Sequence, residues 1–186
     1  MTGKKQTVTL EEAAEQVRKV CVRLALLHIS YARTLVNELG EEKGKQLVLK
    51  AIKDYGIRAG NGARTKATAA GLDNSPANFR DDLPRYGMHT GREVTEVDGE
   101  KRSRAYGCVM GEVWNELGEG ELGRLYCYVD PAKYMAFNPD FKMIHLKALP
   151  DGDALCELAV RSTTEQERED FAAEDTDWSY IDRHQV

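Results

Sequence analysis

The chain has 186 residues, with 41% apolar and 31% charged side chains, a balance that describes one folded domain with a substantial core rather than a disordered segment. Its net charge of −5, from 26 basic and 31 acidic residues, excludes a general nucleic-acid binder with a basic face. No apolar run approaches membrane-spanning length, and the start, Met1-Thr-Gly-Lys-Lys-Gln, leads into no apolar signal stretch. Four cysteines, at 21, 108, 127 and 156, form no close pair, so reduced thiols in the cytoplasm are expected rather than a disulfide framework.

Thr9 followed by Glu12 reads as a capped helix start. Apolar positions from Val17 to Leu39 then keep helical spacing until Gly40 ends the helix. A second helix opens at Glu41 and buries Leu47, Val48, Ala51, Ile52 and Tyr55. It runs into Gly56, Gly60 and Gly62, each costing about 1 kcal/mol in a helix interior, which suggests a kink, a nearby ligand or, more simply, a close contact with another helix. Residues 71–75 read as a loop, and Pro76 opens a short helix that Pro84 limits to about residue 83. Residues 92–97 and 102–108 alternate around Asp98-Gly99, a hairpin pattern. Residues 109–117 read as a short helix, 124–129 as a strand, 131–137 as helical turns, and 141–149 and 155–161 as strands. Helices first and strands later give an α+β domain over residues 1–162, with long N-terminal helices packed on a C-terminal antiparallel sheet. Residues 163–186 read as an acidic tail anchored around Trp178-Ser-Tyr180-Ile181.

Three cysteines, a histidine and several carboxylates fall between Cys108 and Val160. Cys127, at an expected strand end, is either a nucleophile activated by a neighbouring base or a small buried apolar residue. His145 on the next strand is the candidate base. Cys156, alternating with Leu155 and Glu157, is expected to face the core. Cys108, Cys127, His145 and Cys156 are zinc-donor types, but they lack the short chelate pairs of structural zinc sites, so neither a metal nor another cofactor is expected. Glu112, two residues before Trp114, is a candidate acid or base, or else a solvated helix glutamate. His28 and Tyr31 share a face of the first helix that is suited to floor a pocket, and Arg58 and Arg64 are suited to hold a substrate carboxylate. His89 sits on a glycine-flanked loop and carries little signal. The first helix has apolar residues on a wide arc, Val22, Leu26 and Ile29 lying off the stripe through Val17, Leu24 and Tyr31, from which a homo-oligomer is expected.

Glu112-Val-Trp114, Gly123-Arg-Leu-Tyr126-Cys127-Tyr-Val-Asp130, Phe137-Asn138-Pro139 and Gly152-Asp153-Ala-Leu-Cys156, following a helical first half, resemble the L-2-amino-thiazoline-4-carboxylic acid hydrolase family over roughly Leu24 to Val160. The Tyr-Cys-x-x-Asp segment carries the resemblance most sharply. It implies hydrolytic opening of a cyclic isothiourea or another small amidine- or amide-like ring. The amidine carbon suits attack by a thiolate, with a histidine or carboxylate moving protons, or attack by water with a base alone. Cys127, His145, Glu112 and Asp130 supply those groups, and Tyr126 and Asn138 join the candidate substrate-binding set. The Gly-Asp-x-x-Cys ending also resembles vinyl-reductase-type domains, which implies, as the alternative, a non-catalytic binder or sensor of a small molecule. An enzyme is expected to set Cys127 at a pocket with a base in reach, and a binder to enclose a largely apolar cavity.

Overall fold

The computed structural model describes residues 7–80 and 83–182. Two long helices, α1 (Leu10–Leu39) and α2 (Glu41–Ala69), form an antiparallel hairpin across Gly40. The Thr9 hydroxyl accepts from the Glu12 N–H while the Glu12 carboxylate accepts from the Thr9 N–H, which closes the capping box at the start of α1. The expected helix from Pro76 is a single 3-10 turn, Pro76–Asn78, and its continuation through 81–82 lies outside the described residues, as do the Met1–Gln6 start and the last four residues of the expected tail.

Strands β1 (Gly91–Val97) and β2 (Glu100–Tyr106) form the hairpin, with Asp98 at φ 53° and Gly99 at φ 79°. That pair of positive angles is what a two-residue turn needs to match the twist of its strands. With β3 (Phe141–Lys147) and β4 (Cys156–Ser162) they make an antiparallel sheet in the order β1-β2-β4-β3. Its outer face carries an ion-pair ladder in which Glu157 takes both Arg102 and Arg104, and Glu100 takes Arg161. The inner face presents Ala105, Ser103, Cys156, Leu158, Met143 and His145, residues that the register aligns across three strands.

Three short helices connect β2 to β3. These are α3 (Val109–Glu116), α4 (Gly120–Cys127) and α5 (Val129–Phe137). Residues 124–129, expected as a strand, are therefore helical. The run Leu-Tyr-Cys-Tyr-Val is apolar enough to suit a strand, but a buried helix has the same unbroken run, and periodicity does not separate the two over six residues. Pro131 breaks the helix. It has no N–H to give the Cys127 carbonyl, so α4 ends at Cys127, a turn follows at Tyr128, and Pro131 sits in the first turn of α5.

The glycines of α2 leave it straight enough to remain one helix, and they admit α5. A Cβ on Gly56 would overlap Ala132, and one on Gly60 would overlap the Lys133 carbonyl. The buried face of α1 is Cys21, Ala25, Ile29 and Ala32, packed against α2, α3 and α4, while Leu24 and Tyr31 of the expected stripe are exposed. Trp114 is buried among these helices, and its indole N–H donates to the Ala25 carbonyl at 3.1 Å. Beyond Ser162, α6 (Glu165–Ala172) and a 3-10 turn at Ser179–Asp182 lie against the domain, with Trp178 and Ile181 buried beside Ala132 and Met135. Among the described residues no helix is long and apolar enough to cross a membrane.

Candidate active site

A cavity of about 250 Å3 lies between the inner face of the sheet and the α2–α5 pair. Tyr55, Arg58, Ala59 and Lys66 of α2 form one wall, and Tyr126 and Cys127 from the end of α4, with Asp130 and Lys133 of α5, form another. Met143, His145, Cys156 and Leu158 close it from the sheet. The helix break at Pro131 places Cys127 and Asp130 on the same wall, one at the end of α4 and one in the first turn of α5.

Five charged groups are linked at this end, and three of them, His145, Asp130 and Lys133, line the cavity. Arg124 Nη2 donates to Asp182 Oδ2 at 2.7 Å. His145 donates its backbone N–H to Asp182 Oδ1 at 2.7 Å, and its ring Nδ1 lies 3.0 Å from Asp182 Oδ2. On the other side of the ring, Nε2 lies 3.4 Å from Asp130 Oδ2, and Lys133 Nζ lies 2.6 Å from Asp130 Oδ1. Burial on its own would lower the pKa of His145, but Asp182 and Asp130 outweigh it and lift the pKa to about 9. Near neutral pH the ring is therefore an imidazolium with both nitrogens protonated. Burial would likewise raise the Asp130 carboxyl, yet Lys133 and His145 hold it well below the usual carboxylate range.

The cysteines behave oppositely. Burial pushes the Cys127 thiol well above its ordinary value, and the opposing charge of Arg124 does not offset this. Burial also raises Cys108, and Cys156 to about 11, so all three thiols at the cavity are neutral in the resting protein. Cys156 is buried as its alternation predicts, and its sulfur accepts from the Leu149 N–H. At the other end, burial and the charge of Arg92 lower His89 to about 4, and its neutral Nδ1 accepts from Arg92 Nε at 3.2 Å. Among the described residues no group of three or more His, Cys, Asp or Glu side chains is placed to hold a metal ion.

Of the residues singled out from sequence, Cys127, His145, Asp130, Tyr126 and Arg58 meet at this cavity. Arg58 also pairs with Asp54 at 2.9 Å. His28 stands one layer behind, edge-on to Tyr126, with its Nε2 2.9 Å from the Leu122 carbonyl oxygen. Glu112 lies at the surface 3.6 Å from Arg18, Arg64 donates to Asn61, and Tyr31 is exposed on α1. Asn138 ties the α5–β3 connection to the Asn74 carbonyl. Sequence reasoning missed Arg124, Lys133 and Asp182. Arg124 and Lys133 face this end because residues 124–137 are helical, and Asp182 follows directly on the anchor that the tail displayed.

A family model described as L-2-amino-thiazoline-4-carboxylic acid hydrolase matches residues 18–160. The chain belongs to this family. The match covers α1 from Arg18, all of α2, the helix break and the four strands up to Val160, and with them every cavity-lining residue of the family resemblance. It stops short of α6 and of Asp182. None of the curated proteins and none of the solved structures matches the chain with significance.

Proposed function

We propose that the protein is a hydrolase of a small amidine- or amide-like C–N bond, of the kind found in a cyclic isothiourea carboxylate. The observation that carries this is the imidazolium of His145, held between Asp130 and Asp182 and lining the same cavity as Cys127. A protonated, oriented imidazole donates a proton to a leaving nitrogen, and a carboxylate facing the same space holds a cationic amidine. A binder that only encloses an apolar ligand has no use for the linked charges of His145, Asp130 and Lys133 on its wall, so the site favours the enzyme over the sensor. About 250 Å3 lies below the usual range for drug-sized ligands, which restricts the substrate to a small ring. Arg58 and Arg92, both lining the cavity, are suited to the carboxylate of such a ring, with Tyr126 packing on its face.

Cys127 is the nucleophile in this reading, although a thiol raised by burial cannot pass its proton to an imidazole that already carries one. The basic nitrogen of the amidine takes that proton instead, leaving a thiolate beside an amidinium held by Asp130. Sulfur then adds to the amidine carbon. His145 gives its Nε2 proton to the ring nitrogen as the C–N bond breaks, which leaves the amidine carbon on the Cys127 sulfur as a thioimidate. Water adds to that carbon and gives a proton back to His145. As the C–S bond to Cys127 breaks, the hydroxyl proton passes to the sulfur, restoring the thiol and leaving a carbamoyl product. The steps are written without a cofactor, and the free thiols support a reducing compartment such as the cytoplasm.

The test is turnover of 2-aminothiazoline-4-carboxylate by the parent and by Cys127→Ser. The expected result is loss of turnover, with unfolding stability within about 1–2 kcal/mol of the parent. Full turnover by the serine variant would replace thiolate attack with attack by water oriented on Asp130. No hydrolysis of this or related cyclic amidines by the parent would remove the hydrolase reading.

A further inference from the structure

The imidazole at the reactive end owes its setting to a part of the chain beyond the family match. After Ser162 the chain wraps the back of the helices that form the cavity. Lys142 of β3 and Glu167 of α6 make a buried ion pair. Lys53 of α2 donates to the Ala173 carbonyl at 2.8 Å and lies over the rings of Phe171 and Trp178. Trp178 and Ile181 bury against Ala132 and Met135 of α5, the helix that also carries Asp130 and Lys133. The next residue is Asp182, whose side chain is fully buried between Arg124 and His145.

We propose that residues 163–182 form a strap that completes the site, with Asp182 as the positioning residue that fixes the ring of His145. Its catalytic consequence rests on the reading of His145 as the proton donor; the placement of the ring does not. One carboxylate accepts both the backbone N–H and the ring Nδ1–H of His145, so it sets the strand position and the ring rotation together. With Nδ1 held there, Nε2 is turned to Asp130 and the cavity. The groups facing the ring are Asp182 from the strap, Asp130 from α5 and, through these two, Arg124 from α4 and Lys133 from α5.

The experiment uses the full chain as Asp182→Asn, Asp182→Glu and Arg124→Gln. It reads the His145 ring titration by NMR, assigned with His145→Gln, and the turnover of 2-aminothiazoline-4-carboxylate. Asp182→Asn is expected to bring the titration midpoint down from about 9 toward 6.5. It should also lower kcat on the order of ten- to a hundredfold, with KM changed far less. Asp182→Glu is expected to restore a raised midpoint. Arg124→Gln is expected to move the midpoint upward, because Asp182 then faces one cation instead of two. A strap that only stabilises the fold would not move the midpoint in opposite directions in these variants. An unchanged midpoint in Asp182→Asn overturns the proposal whatever the activity does. If the midpoint falls and turnover stays, Asp182 keeps its assignment and His145 loses its part in the chemistry. Should Asp182→Asn fail to fold, Arg124→Gln decides, and a midpoint that stays or falls overturns the proposal.

Discussion

Gly60 lies so close to the carbonyl of Lys133 that a side chain on it would overlap the backbone of α5. That contact brings the helix bearing Asp130 and Lys133 against α2 and so fixes the depth of the cavity between them and the sheet. Gly60→Ala has a helix-propensity gain of about 1 kcal/mol in its favour, but the overlap is with backbone, which cannot swing away as a side-chain tip can. The expected net effect is a loss of about 1–3 kcal/mol in denaturant unfolding, accompanied by reduced turnover because α5 shifts. Gly62→Ala is the control. Nothing stands near its added methyl, so it should keep or gain stability. If both variants are equally stable, the α2–α5 contact is not the constraint described.

Much of the frame is legible in the sequence alone. Thr9 and Glu12 announce the start of α1, Asp98-Gly99 announces the hairpin, and the alternation of 155–161 puts Cys156 inside, because each of these depends only on neighbours in sequence. The glycines of α2 also gave their own reason, close helix packing, without naming the partner. The segment 124–129 reads as a strand because its apolar run, Leu-Tyr-Cys-Tyr-Val, is too short for periodicity to separate strand from helix. Asp182 was out of reach for a different reason. Its partners are His145 and Arg124, 37 and 58 positions away, and an acidic residue in an acidic stretch gives no sign of such a contact. The candidate site was thus half legible: the residues carrying the family resemblance were visible, and the charges that set their protonation were not.

Of the shifted groups, the paired His145 and Asp130 give a pH dependence of opposite sign. His145 rises from 6.5 to about 9 on folding, so its contribution to stability is whole below pH 6.5 and disappears as the pH climbs through about 9. Asp130 is depressed from 3.8, so its contribution is present above that value and is lost on acidification. Thermal unfolding of the parent should therefore weaken between pH 6.5 and 9 more steeply than that of His145→Gln, whose curve lacks the imidazolium. The rate of any hydrolysis that needs the His145 proton should fall over the upper part of the same range. Parallel stability curves for parent and variant would show that His145 is not held charged.

Carboxylates inside and outside the cavity should respond differently to neutralisation. Asp130→Asn removes the anion with which His145 and Lys133 both pair, so turnover and stability should both drop, the latter by about 1.5–3 kcal/mol. Glu112→Gln loses only a partly exposed contact to Arg18 and should stay within about 0.5 kcal/mol of the parent in unfolding, with kcat/KM unchanged. A loss of turnover in Glu112→Gln would bring this surface helix into the reaction and displace the cavity assignment.

The exposed face of α1 leads to the last prediction, that the chain is a homo-oligomer. Val20, Leu24, Leu27 and Tyr31 are 62%, 37%, 53% and 68% exposed, an apolar row on the side away from Cys21, Ala25 and Ala32. Their spacing of four, three and four residues is the seam of one helix meeting another, which scattered surface apolar residues do not show. A second α1 presents the same row, so two copies related by a twofold axis satisfy each other without any further surface. The expected species at micromolar concentration is a dimer or a multiple of it, measured by analytical ultracentrifugation. Leu24→Glu and Leu27→Glu together should give a folded monomer that keeps its turnover, because neither side chain lines the cavity. A parent that sediments as a monomer at those concentrations would refute the dimer and leave the stripe for some other helix to cover.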